Sequence, residues 1–96
     1  MDVGTIRNVG MMRYVYILKS EVKSFIYIGN CSDLRRRFAD HNAKRVRSTK
    51  FYAPFRLVYY EAYADKKDAL NREYKLKHHG SAIAKLKERL KYSLDI

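Results

Sequence analysis

Ninety-six residues, with 21 Lys and Arg against 10 Asp and Glu and a formal charge of +11, leave room for one basic domain and little else. Nearly half the residues are apolar and nine are tyrosines, which excludes a disordered tail; the one cysteine, Cys31, excludes an internal disulfide and a four-cysteine zinc site. The charge excess points to a polyanionic partner, nucleic acid ahead of an anionic membrane surface.

No apolar run approaches the roughly 20 residues that a membrane helix needs. The first residues also lack the apolar core of a signal peptide. A cytoplasmic protein without a membrane partner is expected, and a reducing compartment suits the lone cysteine. Residues 1–11 carry little pattern and are read as a disordered leader. Residues 12–92 are read as the single domain, and 93–96 as a tail.

Arg13 to Lys19 alternates as a strand does, with Val15 and Ile17 on one face and Tyr14, Tyr16 and Leu18 on the other. Ser20 to Ser24 is turn-like. Phe25 to Gly29 reads as a second strand, antiparallel to the first, with Phe25 and Tyr27 on one face and Ile26 and Ile28 on the other. Ser32 or Asp33 can cap a helix running to about His41. A basic loop follows through Pro54, and Arg56 to Tyr63 is the third strand. Asp65 caps a second long helix, Gly80 is expected to stop it, and Ser81 is expected to cap a last helix with the stripe Ile83, Leu86, Leu90. The fold class predicted is α+β, a three-stranded antiparallel sheet flanked by about three helices.

Several side chains are candidates for chemistry. Alternation can put Tyr16 and Tyr27 on one face of adjacent strands with their hydroxyls converging; the ordinary use of such tyrosines is packing. Arg37 and His41 lie one helical turn apart beside the apolar Leu34 and Phe38. The arginine can bind a phosphate and the histidine can move a proton, or both can belong to a solvated basic face and a helix end. Glu73 falls within the stripe Ala69, Leu70, Leu76 of the second helix, where a carboxylate needs a metal or an ion pair, with Lys77, Arg72 or another arginine as partner. Gly29 leaves bare backbone that a ligand can approach. Arg35, Arg36, Lys44, Arg45, Arg47 and Lys50 are general phosphate contacts or solvated charge. His78 and His79 are adjacent on a helix and point about 100° apart, so they do not form a metal pair. Cys31 reads as a small half-buried residue.

These residues resemble the GIY-YIG nuclease superfamily, in its small stand-alone branch. That branch is similar to the nuclease domain of structure-specific endonuclease catalytic subunits. Tyr14-Val15-Tyr16 stands for the first signature triplet and Tyr27-Ile28-Gly29 matches the second. Ser32-Asp33-Leu34, Arg36-Arg37-Phe38, His41-Asn42, Leu57 to Glu61, Ala69-Leu70, Glu73 and Leu76-Lys77 continue the likeness over about residues 12 to 78. Tyr14 replaces the first glycine, Asn30 stands where excision-repair relatives have a lysine, and Cys31 stands where threonine is frequent.

The resemblance implies a metal-dependent endonuclease that hydrolyses phosphodiester bonds in DNA, branched or single-stranded, in repair or recombination, with RNA not excluded. It implies Tyr16 and Tyr27 around the attacking water, Arg37 on the phosphate, and His41 at a position that active relatives fill with histidine or tyrosine. It implies Glu73 holding one divalent ion, Mg2+ or Mn2+. Two rivals stand beside it: a nucleic-acid-binding module that cuts poorly or not at all, and a subunit active only with a protein partner.

Overall fold

The computed structural model describes residues 11–95. The leader expected over residues 1–11 lies outside them except for Met11. Three antiparallel strands, β1 (Arg13–Ser20), β2 (Ile26–Cys31) and β3 (Phe55–Tyr63), form one sheet in the order β2-β1-β3. Helix α1 (Leu34–Asn42) follows β2; α2 (Lys66–His78), α3 (Gly80–Arg89) and the short α4 (Lys91–Asp95) follow β3. The α+β class and the three-stranded antiparallel sheet are as the sequence pattern predicts. No helix among the described residues is long and apolar enough to cross a membrane.

The alternation of β1 divides the core in two. Val15 and Ile17 join Ala69, Leu76 and Leu86 under α2 and α3, with Ile26, Ile28 and Ile83 at the margin. Tyr16 and Leu18 face the other way and pack with Phe55, Cys31, Tyr27, Leu34 and Phe38 under α1 and the loop after it. As the middle strand, β1 is covered on both faces, so Val15, Tyr16, Ile17 and Leu18 are all buried. Covering both faces removes the most apolar surface from water per residue, at roughly 25 cal/mol per Å².

Local signals set the helix starts. Asp33 caps α1 by accepting from the Arg36 N–H at 3.1 Å, and Asp65 caps α2 by accepting from the Lys67 N–H at 2.7 Å. Asn42 ends α1 by donating to the Phe55 carbonyl and accepting from the Phe55 N–H, which ties the helix to β3.

The joint between α2 and α3 differs from the sequence reading. His79, in extended backbone, ends α2 and precedes α3; Gly80 is the first residue of α3, and none of the described glycines has positive φ. A one-residue joint serves both helices, so neither a left-handed glycine stop nor a Ser81 cap is used. The stripe on α2 is also narrower than expected. Ala69 and Leu76 are buried, whereas Leu70 is 45% exposed. At about 100° per residue, Ala69 and Leu76 share one line, Leu70 lies well to its side, and Arg72 and Glu73 flank the line about 50° to either side.

Arg72 therefore leans to β3, where its guanidinium grips both oxygens of Glu61 at 2.9–3.1 Å. Tyr59 (2.6 Å) and Tyr63 donate to the same carboxylate. These bonds hold the Glu61 carboxyl below its ordinary range against the opposing effect of burial, which by itself would raise it. Glu73 leans the other way, toward β2.

Tyr16 pairs across the ladder with Gly29. A Cβ on Gly29 would overlap the Tyr16 ring and hydroxyl and come within 2.8 Å of Tyr27 Cε2. The space left by the missing side chain is thus occupied by the two tyrosines. Gly29→Ala is expected to lower stability by about 1–3 kcal/mol through overpacking. Gly80→Ala, with nothing within 4 Å of its Cβ, is expected to be neutral or stabilising. Urea denaturation of the two variants checks the contrast.

Candidate active site

The residue that organises the site is Tyr16, 1% exposed. Its hydroxyl lies 2.8 Å from His41 Nε2, and His41 Nδ1 lies 2.8 Å from Thr49 Oγ1. Thr49 donates onward to the Val46 carbonyl at 3.5 Å. With the Thr49 hydroxyl directed to Val46, its oxygen accepts from His41 Nδ1–H. Nε2 is then the imidazole acceptor and takes the Tyr16 O–H. His41 and Thr49 are both fully buried, so the chain is sealed from water behind the tyrosine.

Arg37, one turn before His41 on α1, sets its guanidinium against the Tyr16 hydroxyl. Burial raises the Tyr16 pKa well above its ordinary 10, against the opposing effect of Arg37. Burial, with Arg37 second, pushes His41 down to about 4. At neutral pH the pair is therefore a neutral phenol and a neutral imidazole. Arg37 is itself pushed up: burial lowers it, but Tyr16, Tyr27 and Asp40 together more than offset that.

Tyr27 contributes its ring, which packs against His41 (centroids 5.0 Å apart) and Tyr16 (6.1 Å). The Lys77 ammonium, which bonds Glu73 Oε2 at 3.0 Å, sits over the Tyr27 ring, 5.7 Å from its centroid. Glu73 thus reaches the tyrosines through Lys77, the partner one helical turn on. Its carboxylate is 19% exposed and is not gripped by an arginine as Glu61 is.

The front of the site is a cleft of about 480 Å³ lined by Arg13, Arg36 and Arg37 together with Cys31, Ser32, Asp33 and Asp40. Arg13 is steadied by Asn30 Oδ1 at 2.9 Å. Cys31 is buried, and burial pushes its thiol up, away from thiolate reactivity.

The GIY-YIG catalytic domain profile matches residues 12–90. The chain belongs to the GIY-YIG family. It is 44% identical over 66 residues to a UPF0213 protein of Lacticaseibacillus paracasei, covering 68% of this chain and 73% of that protein. It is 41% identical over 80 residues to a UPF0213 protein of Lactiplantibacillus plantarum, covering 77% and 74% respectively. The solution NMR structure of a UPF0213 protein from Bacillus halodurans has the same fold, with a TM-score of 0.52, 33% identity, and 84% of this chain and 86% of that one covered. The fold is thus the nuclease fold of the GIY-YIG family.

Within this GIY-YIG site the structure brings Tyr16, Tyr27, Arg37 and His41 together and sets Glu73 beside them. Gly29 supports the two tyrosines from below. Arg36, read as a general phosphate contact or solvated charge, lines the same cleft as Arg37, whereas Arg35 lines a neighbouring one. Lys44, Arg45, Arg47 and Lys50 are exposed on the loop after α1; Arg45 pairs with Asp40 at 2.9 Å and Lys50 lies over the Phe51 ring.

Sequence reasoning missed Arg13 and Thr49. Arg13 begins the central strand and enters the cleft only because β1 runs beside β2. For Thr49 the sequence carries no signal either; only the structure shows Val46 and Thr49 as the two buried residues of an otherwise exposed basic loop.

The His41 pKa carries a stability consequence. Folded, it lies below the ordinary 6.5, so its stabilisation is complete above pH 6.5 and is lost as pH falls toward about 4. The loss is of order 3 kcal/mol at about 1.36 kcal/mol per unit. Urea denaturation at pH 7.5 and 4.0 is expected to show this drop, and His41→Gln a clearly smaller one.

Proposed function

We propose that this GIY-YIG protein is a metal-dependent endonuclease that hydrolyses phosphodiester bonds in nucleic acid, DNA before RNA. The observation that carries the reading is the junction of a sealed Tyr16–His41–Thr49 chain with an arginine-lined cleft. Arg37, set against the Tyr16 hydroxyl, also lines the cleft, so a group able to pass a proton inward adjoins a place suited to an anion.

A phosphodiester in the cleft would accept from Arg37, with Arg13 and Arg36 beside it. Its charge offsets that of Arg37, one of the two influences holding His41 below its ordinary value. Water attacking the phosphorus then gives its proton to the Tyr16 oxygen while the Tyr16 O–H proton moves to His41 Nε2, and the bond from phosphorus to the leaving oxygen breaks. The imidazolium keeps its Nδ1–H bond to Thr49. Arg37 offsets the charge that develops on the phosphoryl oxygens. Tyrosinate does not form beforehand, because burial holds the phenol neutral. A neutral His41 as acceptor removes the need for a lysine beside the tyrosines, where Asn30 stands.

GIY-YIG nucleases generally use a divalent ion, and the donor set here is compatible with one. Among the described residues, no three His, Cys, Asp or Glu side chains gather around a point. Glu73 is the carboxylate assigned to the ion, because Asp33 is engaged as the cap of α1 and Asp40 pairs with Arg45. That suits Mg2+ or Mn2+, which keep several waters and take one or two carboxylates with substrate oxygens. When bound, such an ion polarises the phosphoryl oxygen and stabilises the leaving oxygen. The Glu73–Lys77 pair would open to admit it; an exposed i,i+4 pair of this kind is worth only about 0.3–0.5 kcal/mol.

The same pair favours a second reading, since Glu73 already has a partner without any metal: a nucleic-acid-binding module that does not cut. Cleavage of single-stranded, duplex and branched DNA and of RNA, at low salt with Mg2+ or Mn2+, separates the two. Wild type is expected to cut. Tyr16→Phe is expected to cut about 10² to 10⁴-fold more slowly, and Glu73→Ala to lose cutting while binding within about threefold of wild type. Binding without cutting by wild type, whatever the metal, would leave the second reading standing. The basic loop and helices act as a sequence-indifferent, salt-dependent surface for the backbone.

A further inference from the structure

The sheet face that carries Tyr16 is covered unevenly. Tyr16 and Tyr60 are direct partners across the β1–β3 ladder and share that face. Yet Tyr16 is 1% exposed and Tyr60 is 53% exposed. Helix α1 and the loop after it cover Tyr16, Leu18 and Phe55 and leave the Tyr60 end of β3 open. There Tyr14 and Tyr60 meet edge to face, with ring centroids 5.9 Å apart at 67°. With Phe38, Leu34 and Leu57 they line a cleft of about 740 Å³, larger than the arginine cleft. Ser32, Asp33 and Arg35 form its rim.

Ser32 and Asp33 belong to both clefts. An aromatic floor therefore shares a wall with an anion site. Those are the two chemistries of one nucleotide, a flat π-face and a phosphate. A docking face for an apolar protein segment gives no reason for the arginines next door or for Arg35 on the rim.

We propose that the Tyr14–Tyr60 cleft is a nucleobase pocket, seating a base of the same strand whose phosphate lies at Arg37. The proposal rests on the nucleic-acid reading and extends it. Tyr60 supplies a face for stacking, and Arg35 closes the rim by stacking or by a contact to the sugar–phosphate. Ser32 Oγ is available to the base edge, whereas the Asp33 carboxylate is already engaged as the cap of α1. A base stacked within a duplex cannot enter such a cleft, so the strand must present one that is unpaired, either in single-stranded nucleic acid or rotated out of a duplex.

The test uses the full chain in EDTA, so that nothing is cut. The probe is a six-nucleotide single-stranded DNA with a central 2-aminopurine, and the same base within a 12-base-pair duplex. Wild type is expected to bind the hexamer at low salt and quench 2-aminopurine by stacking. Tyr60→Ala is expected to weaken hexamer binding about tenfold and to abolish the quench, and Tyr60→Phe to retain both within about twofold. The slope of log affinity against log salt should be unchanged in Tyr60→Ala and shallower in Arg36→Ala, because only the second removes a phosphate contact. Thermal melting of each variant guards against misfolding. Duplex binding that Tyr60→Ala weakens as it weakens hexamer binding identifies a rotated-out base as the source; Tyr60 dependence with the hexamer alone identifies single strands. Tyr60→Ala that binds and quenches like wild type would overturn the pocket, leave the cleft to a protein segment, and keep the nucleic-acid reading intact. Wild type that binds neither probe would overturn that reading and the pocket with it.

Discussion

The hydrogen bond from Tyr16 to His41 is the contact on which the rest of the molecule converges. It joins the middle of the central strand to the end of α1, two elements that share little else. Each partner is held by separate means. Tyr16 lies over Gly29, where any side chain would collide with its ring. His41 is held by Thr49 from behind and by the Asn42–Phe55 bonds that fasten the end of α1 to β3. Two polar groups so deeply buried are costly unless they satisfy one another, so each depends on the other for its place.

The charge distribution follows from the same burial. Removal from water lifts the tyrosine and lowers the histidine, which keeps both neutral while Arg37 stays cationic at the mouth. The result is a neutral proton path behind a positive entrance. The two carboxylates of the sheet edges are treated differently. Glu61 is locked by Arg72, Tyr59 and Tyr63 and ties α2 to β3. Glu73, on the other flank of the same helix, is held by Lys77 one turn on.

Much of the fold was legible in the chain. Period-two alternation in Arg13 to Ser20 put Val15 and Ile17 on one face and Tyr16 and Leu18 on the other, and the structure separates the two cores along that line. Asp33 and Asp65 were legible as caps because a cap is a matter of three or four consecutive residues. The joint at His79 and Gly80 was not. There the sequence offers a glycine and a serine with ordinary helix-end roles, and the packing of α2 against α3 in a one-residue turn makes both unnecessary. Leu70 misled for a related reason: apolar character does not tell which side of a helix the sheet will cover.

The sequence by itself determined the elements, the two-faced central strand and the residue types at the site, since these rest on periodicity and on short motifs whose chemistry is local. Tyr16, Tyr27, Arg37, His41 and Glu73 could be named from it. Tertiary structure decided what those residues do to one another. Arg13 and Thr49 join the site across 17 and 8 residues, from Asn30 and His41 respectively, through contacts that no spacing rule encodes. The direction of the hydrogen-bond chain comes from the Thr49 bond to Val46, and the opposite shifts of Tyr16 and His41 come from burial, a property of the packed whole. So does the contrast between Tyr16 and Tyr60, alike in sequence and paired in the sheet, one sealed under α1 and the other left open beside it.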